Sequence, residues 1–253
     1  MKQRLANLIK HWPALYHFVS KVYYTWKFGH LMELFIGTKA RERYWAGRSI
    51  AQDYWNGREL PSKHFLAERI AAFSPIHSIL EVGCASGPNL YLLAKRFPQA
   101  QIVGIDINST AITYGNVQVA REGIPNVKLS VGRADRLGKF KDRSFDVVFT
   151  NALLIYIGPD KIKEVIKGML SITGKALVLM ELHCFEPETK DPLGLGFYQH
   201  GYWGNWIRDY EALLKQFVSE EQIQVTQIPK NVWPGQPWEE LGAVIEVVVS
   251  VKG

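Results

Sequence analysis

Cysteine is scarce in this chain of 253 residues: Cys84 and Cys184 are the only two. Neither stands at metal-ligand spacing, which excludes a disulfide framework and points to a reducing, cytoplasmic setting. Long apolar runs are missing as well. The most apolar stretches are interrupted by Lys21, Lys27 and Glu33, so no membrane-spanning helix is expected. Met1 to Lys10 leads into no clean apolar segment before a small-residue cleavage site, and no secretory leader is expected. Internal repeats and low-complexity tracts are also lacking.

What remains is the composition of an ordinary folded protein, 47% hydrophobic and 21% charged. The length suffices for one large domain, or for a domain with an extension. Charge is unevenly placed. Residues 1–48 hold nine Lys/Arg against Glu33 and Glu42, a net of +7, so the other residues together carry −1 of the total +6. Between Trp12 and Trp55 lie twelve of the 31 aromatic residues. We divide the chain into a basic, aromatic-rich helical extension, residues 1–60, and a domain over 61–253.

Within the extension Pro13 opens a helix toward Phe28, and Gly29 and Gly37 mark breaks. One reading packs two such helices onto the domain or onto a second subunit. The other is an interfacial helix, a peripheral membrane contact through residues 1–36, because Trp, Tyr and Lys suit the headgroup boundary. Its charges do not gather on one clean face. Capping of a substrate is compatible with either.

The chain is organised around Ser78-Ile79-Leu80-Glu81-Val82-Gly83-Cys84-Ala85-Ser86-Gly87-Pro88-Asn89-Leu90. A short apolar strand runs into a turn with two glycines, and proline opens a helix. Such a turn aims free backbone N–H groups at a ligand. A dinucleotide fingerprint would need G-x-G-x-x-G; the spacing here is G-x-x-x-G, which disfavours a nicotinamide oxidoreductase. A second apolar strand, Ile102 to Ile105, ends in Asp106, 23 residues after Gly83. A carboxylate there can take both hydroxyls of a ribose. Glu81 supplies another acid where a pyrophosphate would be unwelcome.

The pattern predicts a helix over 61–74 with Ser62 as its cap, strands at 78–82 and 101–106, and a helix from Pro88 to Phe97. A helix capped by Asn108 or Ser109 runs to Glu122, with strands at 127–131 and 145–150 beyond it. A helix from Pro159 to Ser171 carries Ile162, Val165, Ile166, Met169 and Leu170 on one face, ended by Gly174. A fifth strand spans 176–182. Residues 183–204, rich in Gly and Pro, read as a long loop of the kind that carries function. A helix over 206–218 and strands at 223–228 and 243–251 complete the chain. Strands alternating with helices call for a mostly parallel sheet with helices on both faces.

These residues resemble the class I, Rossmann-like, S-adenosylmethionine-dependent methyltransferases. The first motif, E-x-G-C-G-x-G, is matched by Glu81 to Gly87, with Ala85 replacing the middle glycine. Asp106 matches the ribose-binding acid, and Gly132-Arg133-Ala134-Asp135 the adenine-side segment. Phe145 to Ile157 matches the fourth motif. The resemblance covers residues 75–182 and, by strand pattern alone, 183–253. It implies a seven-stranded sheet of order 3-2-1-4-5-7-6 with the last strand antiparallel, and S-adenosyl-L-methionine as cofactor. It also implies cofactor contacts from Glu81, Gly83, Cys84, Ala85, Gly87 and Asn89. Asp106, Ile107, Ala134, Asp135 and Asn151 join them.

Sites outside the carboxyl ends of the strands include Tyr156 and His183; His183 is the candidate catalytic base, for its pKa near working pH. His200, Tyr202, Trp203 and Arg208 join Tyr156 as candidate acceptor-pocket residues. No D/N-P-P-Y follows the fourth strand, no cysteine stands where a covalent pyrimidine nucleophile would, and no acid cluster forms a Mg²⁺ site. Methyl transfer without metal to a hydroxyl or amine of a small molecule, glycan or lipid-linked acceptor is expected, with no nucleic-acid partner. The alternative is a membrane-recruited or regulatory protein that binds the cofactor without catalysis.

Overall fold

The computed structural model describes residues 38–186, 205–235 and 237–249. Among the described residues, three helices precede the sheet: α1 (Lys39–Ala46), α2 (Ala51–Asn56) and α3 (Pro61–Ala71). Then follow β1 (Ser78–Val82), α4 (Pro88–Arg96), β2 (Gln101–Asp106), α5 (Ser109–Arg121), β3 (Val127–Val131) and β4 (Phe145–Asn151). After a 3-10 turn at Leu154–Tyr156 come α6 (Ile162–Ile172), β5 (Thr173–Leu182), α7 (Tyr210–Leu214), β6 (Ile223–Gln227), α8 (Trp238–Leu241) and β7 (Gly242–Val248).

The sheet has seven strands in the order β3-β2-β1-β4-β5-β7-β6, as the resemblance implies. β7 runs antiparallel to both its neighbours, β5 and β6. Pairing of β1 with β2 and β4 is parallel, which leaves its side chains covered on both faces; Ile79 to Val82 are all buried. Such a strand needs the unbroken apolar run seen in the sequence. On one face α3, α4 and α5 pack with Leu66, Ile70, Leu90, Leu93 and Ile112. On the other, α6 buries Ile162, Val165, Ile166, Met169 and Ile172. Each of these side chains contributes about 2 kcal/mol at most by leaving water. Leu170, expected on the inner face, is only half-buried.

Several boundaries differ from expectation, each for a local reason. α3 starts with Pro61 in its first turn after an extended Leu60, so Ser62 lies inside the helix, buried, and is not the cap. Gly174 belongs to β5 and not to a helix end: the Thr173 hydroxyl closes α6 on the Met169 carbonyl at 2.7 Å, and the chain turns directly into the strand. α7 is a short helix because Trp206 to Arg208 is held out of helical geometry. Arg208 forms a parallel bridge with His183, and Asp209 caps from beyond it through the Ala212 N–H. The expected helix from Pro13, the breaks at Gly29 and Gly37, and nearly all of the 183–204 loop lie outside the described residues.

The segment before residue 61 joins the core. Trp55 is buried and meets Tyr91 of α4 edge-on at 5.7 Å, while the Arg58 guanidinium lies over both rings. Two glycines unmarked by any motif permit close approaches. A Cβ on Gly104 would stand 2.7 Å from Cys84 Sγ, and one on Gly115 would stand 2.4 Å from the Ser86 carbonyl oxygen. That contact is backbone and cannot swing aside. Gly115→Ala should therefore cost about 2 kcal/mol of stability despite the roughly 1 kcal/mol gained in helix propensity, read as a lower urea midpoint at unchanged slope.

Candidate functional site

The turn after β1 is built by backbone that only small residues tolerate. Gly83 and Gly87 have φ of +81° and +82°, and Ala85, where the motif carries glycine, accepts φ +47°. The N–H groups of Gly83 and Cys84 donate to the Ile105 carbonyl at 2.8 and 3.1 Å, tying the turn to β2. Asp106, at the tip of β2, takes the Ala85 N–H on Oδ2 and the Asn108 N–H on Oδ1, both at 2.8 Å. Burial raises its pKa, and these N–H donors oppose the rise by favouring the carboxylate. Asn108 caps α5 through the Ala111 N–H, and its amide donates to the carbonyls of Trp45 and Arg48.

Over these strand ends lies a cavity of about 430 Å³. Of the residues singled out in the sequence, Gly83, Ala85, Asp106, Ile107, Ala134, Asp135, Asn151 and Tyr156 line it together. Glu81, Cys84, Gly87 and Asn89 stand behind its wall. Gly87 begins α4; Cys84 is buried, its thiol pushed up by burial. Asn151 donates to Asn89 Oδ1 at 3.2 Å, and Asn89 in turn donates to Glu81. Two oxygens of this hydrogen-bonded series, Glu81 Oε2 and Asn151 Oδ1, are buried without a hydrogen-bond partner. Burial pushes Glu81 up to about 8, against the Asn89 hydrogen bond and the field of Lys63.

His183 and Arg208 do not reach the cavity lining. His183 is buried, its Nδ1 accepting the Tyr210 N–H at 3.3 Å, and burial lowers its pKa. That environment is a packed histidine's. Arg208 is likewise buried, its guanidinium donating to the carbonyls of Leu154 and Ile157. His200, Tyr202 and Trp203 lie outside the described residues.

Arg208 takes part in a clamp that the sequence did not announce. Glu181, fully buried at the end of β5, accepts from the Thr150 hydroxyl and the N–H groups of Leu153, Leu154 and Ile155. Its carboxyl closes one end of the 3-10 turn and Arg208 the other. Leu153 and Tyr156 are thereby held facing the cavity. Burial raises Glu181 to about 7, with the four donors pulling the other way.

The side of the cavity over β2 and β3 is closed by charges on distant segments. Arg133 pairs with Glu42 of α1 and with Asp135, which Lys161 also holds. Burial works to raise Asp135, but hydrogen bonds from Arg133 and Lys161 prevail and bring it to about 2. Thr38 pairs with Asp160. Trp45 lies on Tyr156 at 4.6 Å. Alternating charge at such separations leaves no periodic trace, so Glu42, Lys161 and Asp160 were not marked as site residues in the sequence.

Residues 79–175 match the model of a family described as a methyltransferase domain. That match and the strand order are consistent with a class I, Rossmann-like, S-adenosylmethionine-dependent methyltransferase. An uncharacterised protein of Haemophilus influenzae is 25% identical over 164 residues, 64% of this chain and 57% of that protein. Trans-aconitate 2-methyltransferase of Deinococcus radiodurans is 30% identical over 86 residues, 34% of this chain and 30% of that enzyme. The matches thus span little more than half of these relatives at most. Among solved structures, the N-terminal domain of EvdMO1 in the presence of SAH and D-fucose superposes with a TM-score of 0.57 at 16% identity. It covers 76% of this chain and 84% of that one, a likeness of fold.

S-adenosylmethionine fits the residues of this methyltransferase domain on structural grounds. Its ammonium group needs acceptors, and Glu81 Oε2 and Asn151 Oδ1 are buried acceptors lacking donors. Its ribose diol needs a carboxylate in the cavity, and Asp106 lines it.

Two outcomes follow from the buried carboxyls. Arg208→Met strands two buried carbonyls and should cost about 3 kcal/mol, measured by denaturant unfolding. Glu81 and Glu181 both bind a proton more tightly in the fold than at their ordinary value of 4.5. Their contribution to stability is therefore full below about pH 4.5 and is lost as pH rises through about 7 and 8. The melting temperature of the ligand-free protein should fall across that window, and less steeply in Glu81→Gln.

Proposed function

We propose that this chain transfers a methyl group from S-adenosylmethionine to a hydroxyl or amine of a small acceptor, without a metal. When bound, the cofactor supplies a methyl carbon on a cationic sulfur: the acceptor lone pair forms the new bond, the carbon–sulfur bond breaks with its pair passing to sulfur, and the acceptor proton leaves to solvent. Charge is dispersed in that displacement and not created, so the chemistry asks for no Lewis acid. What it asks for is alignment.

The observation that carries this reading is a linked pair of donor-poor buried oxygens: Asn151 Oδ1, in the wall that also holds the Asp106 carboxylate, and Glu81 Oε2 behind it. In this reading Asp106 holds the ribose diol, and the backbone of Gly83 to Gly87 approaches the amino-acid portion. Ile107, Ala134 and Asp135 border the adenine. Asn151 and Glu81 take the ammonium, and Lys63, which lines the same cavity, faces the carboxylate. His183 has no part in proton removal. Tyr156, held by the turn between Glu181 and Arg208, orients the acceptor.

Titration calorimetry tests this with S-adenosylhomocysteine and with NAD. The former should bind in the micromolar range and the latter not at all. Asp106→Ala should weaken S-adenosylhomocysteine at least about tenfold, the loss of one charged hydrogen-bonding partner. Binding of NAD in preference, or indifference to Asp106→Ala, would overturn the assignment.

A further inference from the structure

The cavity has two unlike ends. Over β2 and β3 it is lined by Asp106, Ile107, Ala134 and Asp135. Toward β5 and β7 its wall is Leu60, Leu153, Ile155, Trp233 and Trp238. Trp233 and Trp238 lie ring on ring, 3.8 Å between centroids and 1° between planes. Trp238 packs against the buried group of Leu182, Ile207 and Leu241, which anchors the pair to the end of β5. Asn151, at the tip of β4, lies between the two ends in the order of the strands.

Much of the charge toward β2 and β3 is already matched, while Arg41, Asp53 and Lys63 also line the cavity. Arg133 faces Glu42 and Asp135, and Lys161 faces Asp135. Lys63 is the cation toward β5 and β7; it stands 5.6 Å over Trp233 and in the field of buried Glu81. A phosphate or a polyol entering there would lose its water and meet apolar rings. An apolar ring or chain would gain in proportion to the area it covers.

We infer that the acceptor is an apolar molecule, a ring or chain with a single nucleophilic heteroatom, seated against Trp233, Trp238, Ile155 and Leu60 with that atom turned to Asn151. The inference rests on the methyl-transfer reading of the cavity. It excludes unsubstituted sugars and phosphorylated metabolites as acceptors. The tryptophan pair is the specificity-determining feature, and rigid aromatic walls make the site select by shape.

Calorimetry on the full chain, with and without S-adenosylhomocysteine, uses β-naphthol as the apolar probe and methyl α-glucoside and α-glucosyl phosphate as polar ones. β-naphthol should bind saturably, at least about tenfold more tightly than either polar probe. Trp233→Ala should weaken it about fivefold or more, and Trp233→Phe should restore most of the loss. Leu60→Ser, at a half-exposed rim position, should weaken it too and keeps the test decisive if Trp233→Ala fails to fold. Tighter binding of a polar probe, no saturable binding of β-naphthol, or affinity unmoved by the foldable variants would overturn the inference. Failure of S-adenosylhomocysteine to bind, with β-naphthol still bound, would instead remove the methyl-transfer reading.

Discussion

The Asp106 carboxylate joins three parts of the molecule through two short bonds. One oxygen holds the Ala85 N–H and so the turn after β1; the other holds the Asn108 N–H and so the start of α5. Asn108 passes the connection on to the Trp45 and Arg48 carbonyls, which brings α1 over the cavity. Cradle and cover are thus fixed by one acid and its neighbour. Because the N–H donors favour the charged form, the carboxylate is set in place before any ligand arrives.

Glu81 and Glu181, two buried acids, differ in kind although both sit at strand ends on the same sheet edge. Glu181 is saturated by four donors and serves the turn at Leu154–Tyr156. Glu81 has Asn89 on one oxygen and nothing on the other. A saturated carboxyl is a structural part; an unsaturated one at equal depth has a place for a donor from outside. Asn151, with its own bare oxygen, extends that place into the cavity.

Close packing around glycine sets how near these groups come. Without a side chain at Gly104 and Gly115, β2 and α5 approach the turn to distances that a methyl group would forbid. The N-terminal segment then adds charge from outside: Glu42 reaches Arg133, and Thr38 reaches Asp160. Residues 38–60, part of the helical extension read in the sequence, supply Trp45, Tyr54 and Leu60 to the cavity and Trp55 to the core.

How much could be read from sequence varied with the range of the interaction. The sheet, its strands and the turn of Glu81 to Gly87 were legible because buried parallel strands need apolar runs and tight turns need glycine. Asp106 was legible by spacing, Ile107, Ala134, Asp135 and Asn151 through the family resemblance, and the fold brings all five to one cavity. His183 and Arg208 carried chemistry in their side chains but are enclosed by the protein, where their polar atoms meet Tyr210, Leu154 and Ile157. Lys63, Trp233 and Trp238 gave no local sign, since each reaches the cavity from an element far along the chain.

By itself, the sequence determined the elements, their order and the acid-and-glycine cradle, for these depend on neighbours within a few residues. Only the tertiary structure decided which polar groups are satisfied inside and which face the cavity. That outcome depends on donors and acceptors brought together from residues such as Glu42 and Arg133, or Thr150 and Glu181, whose separation along the chain leaves no pattern to read.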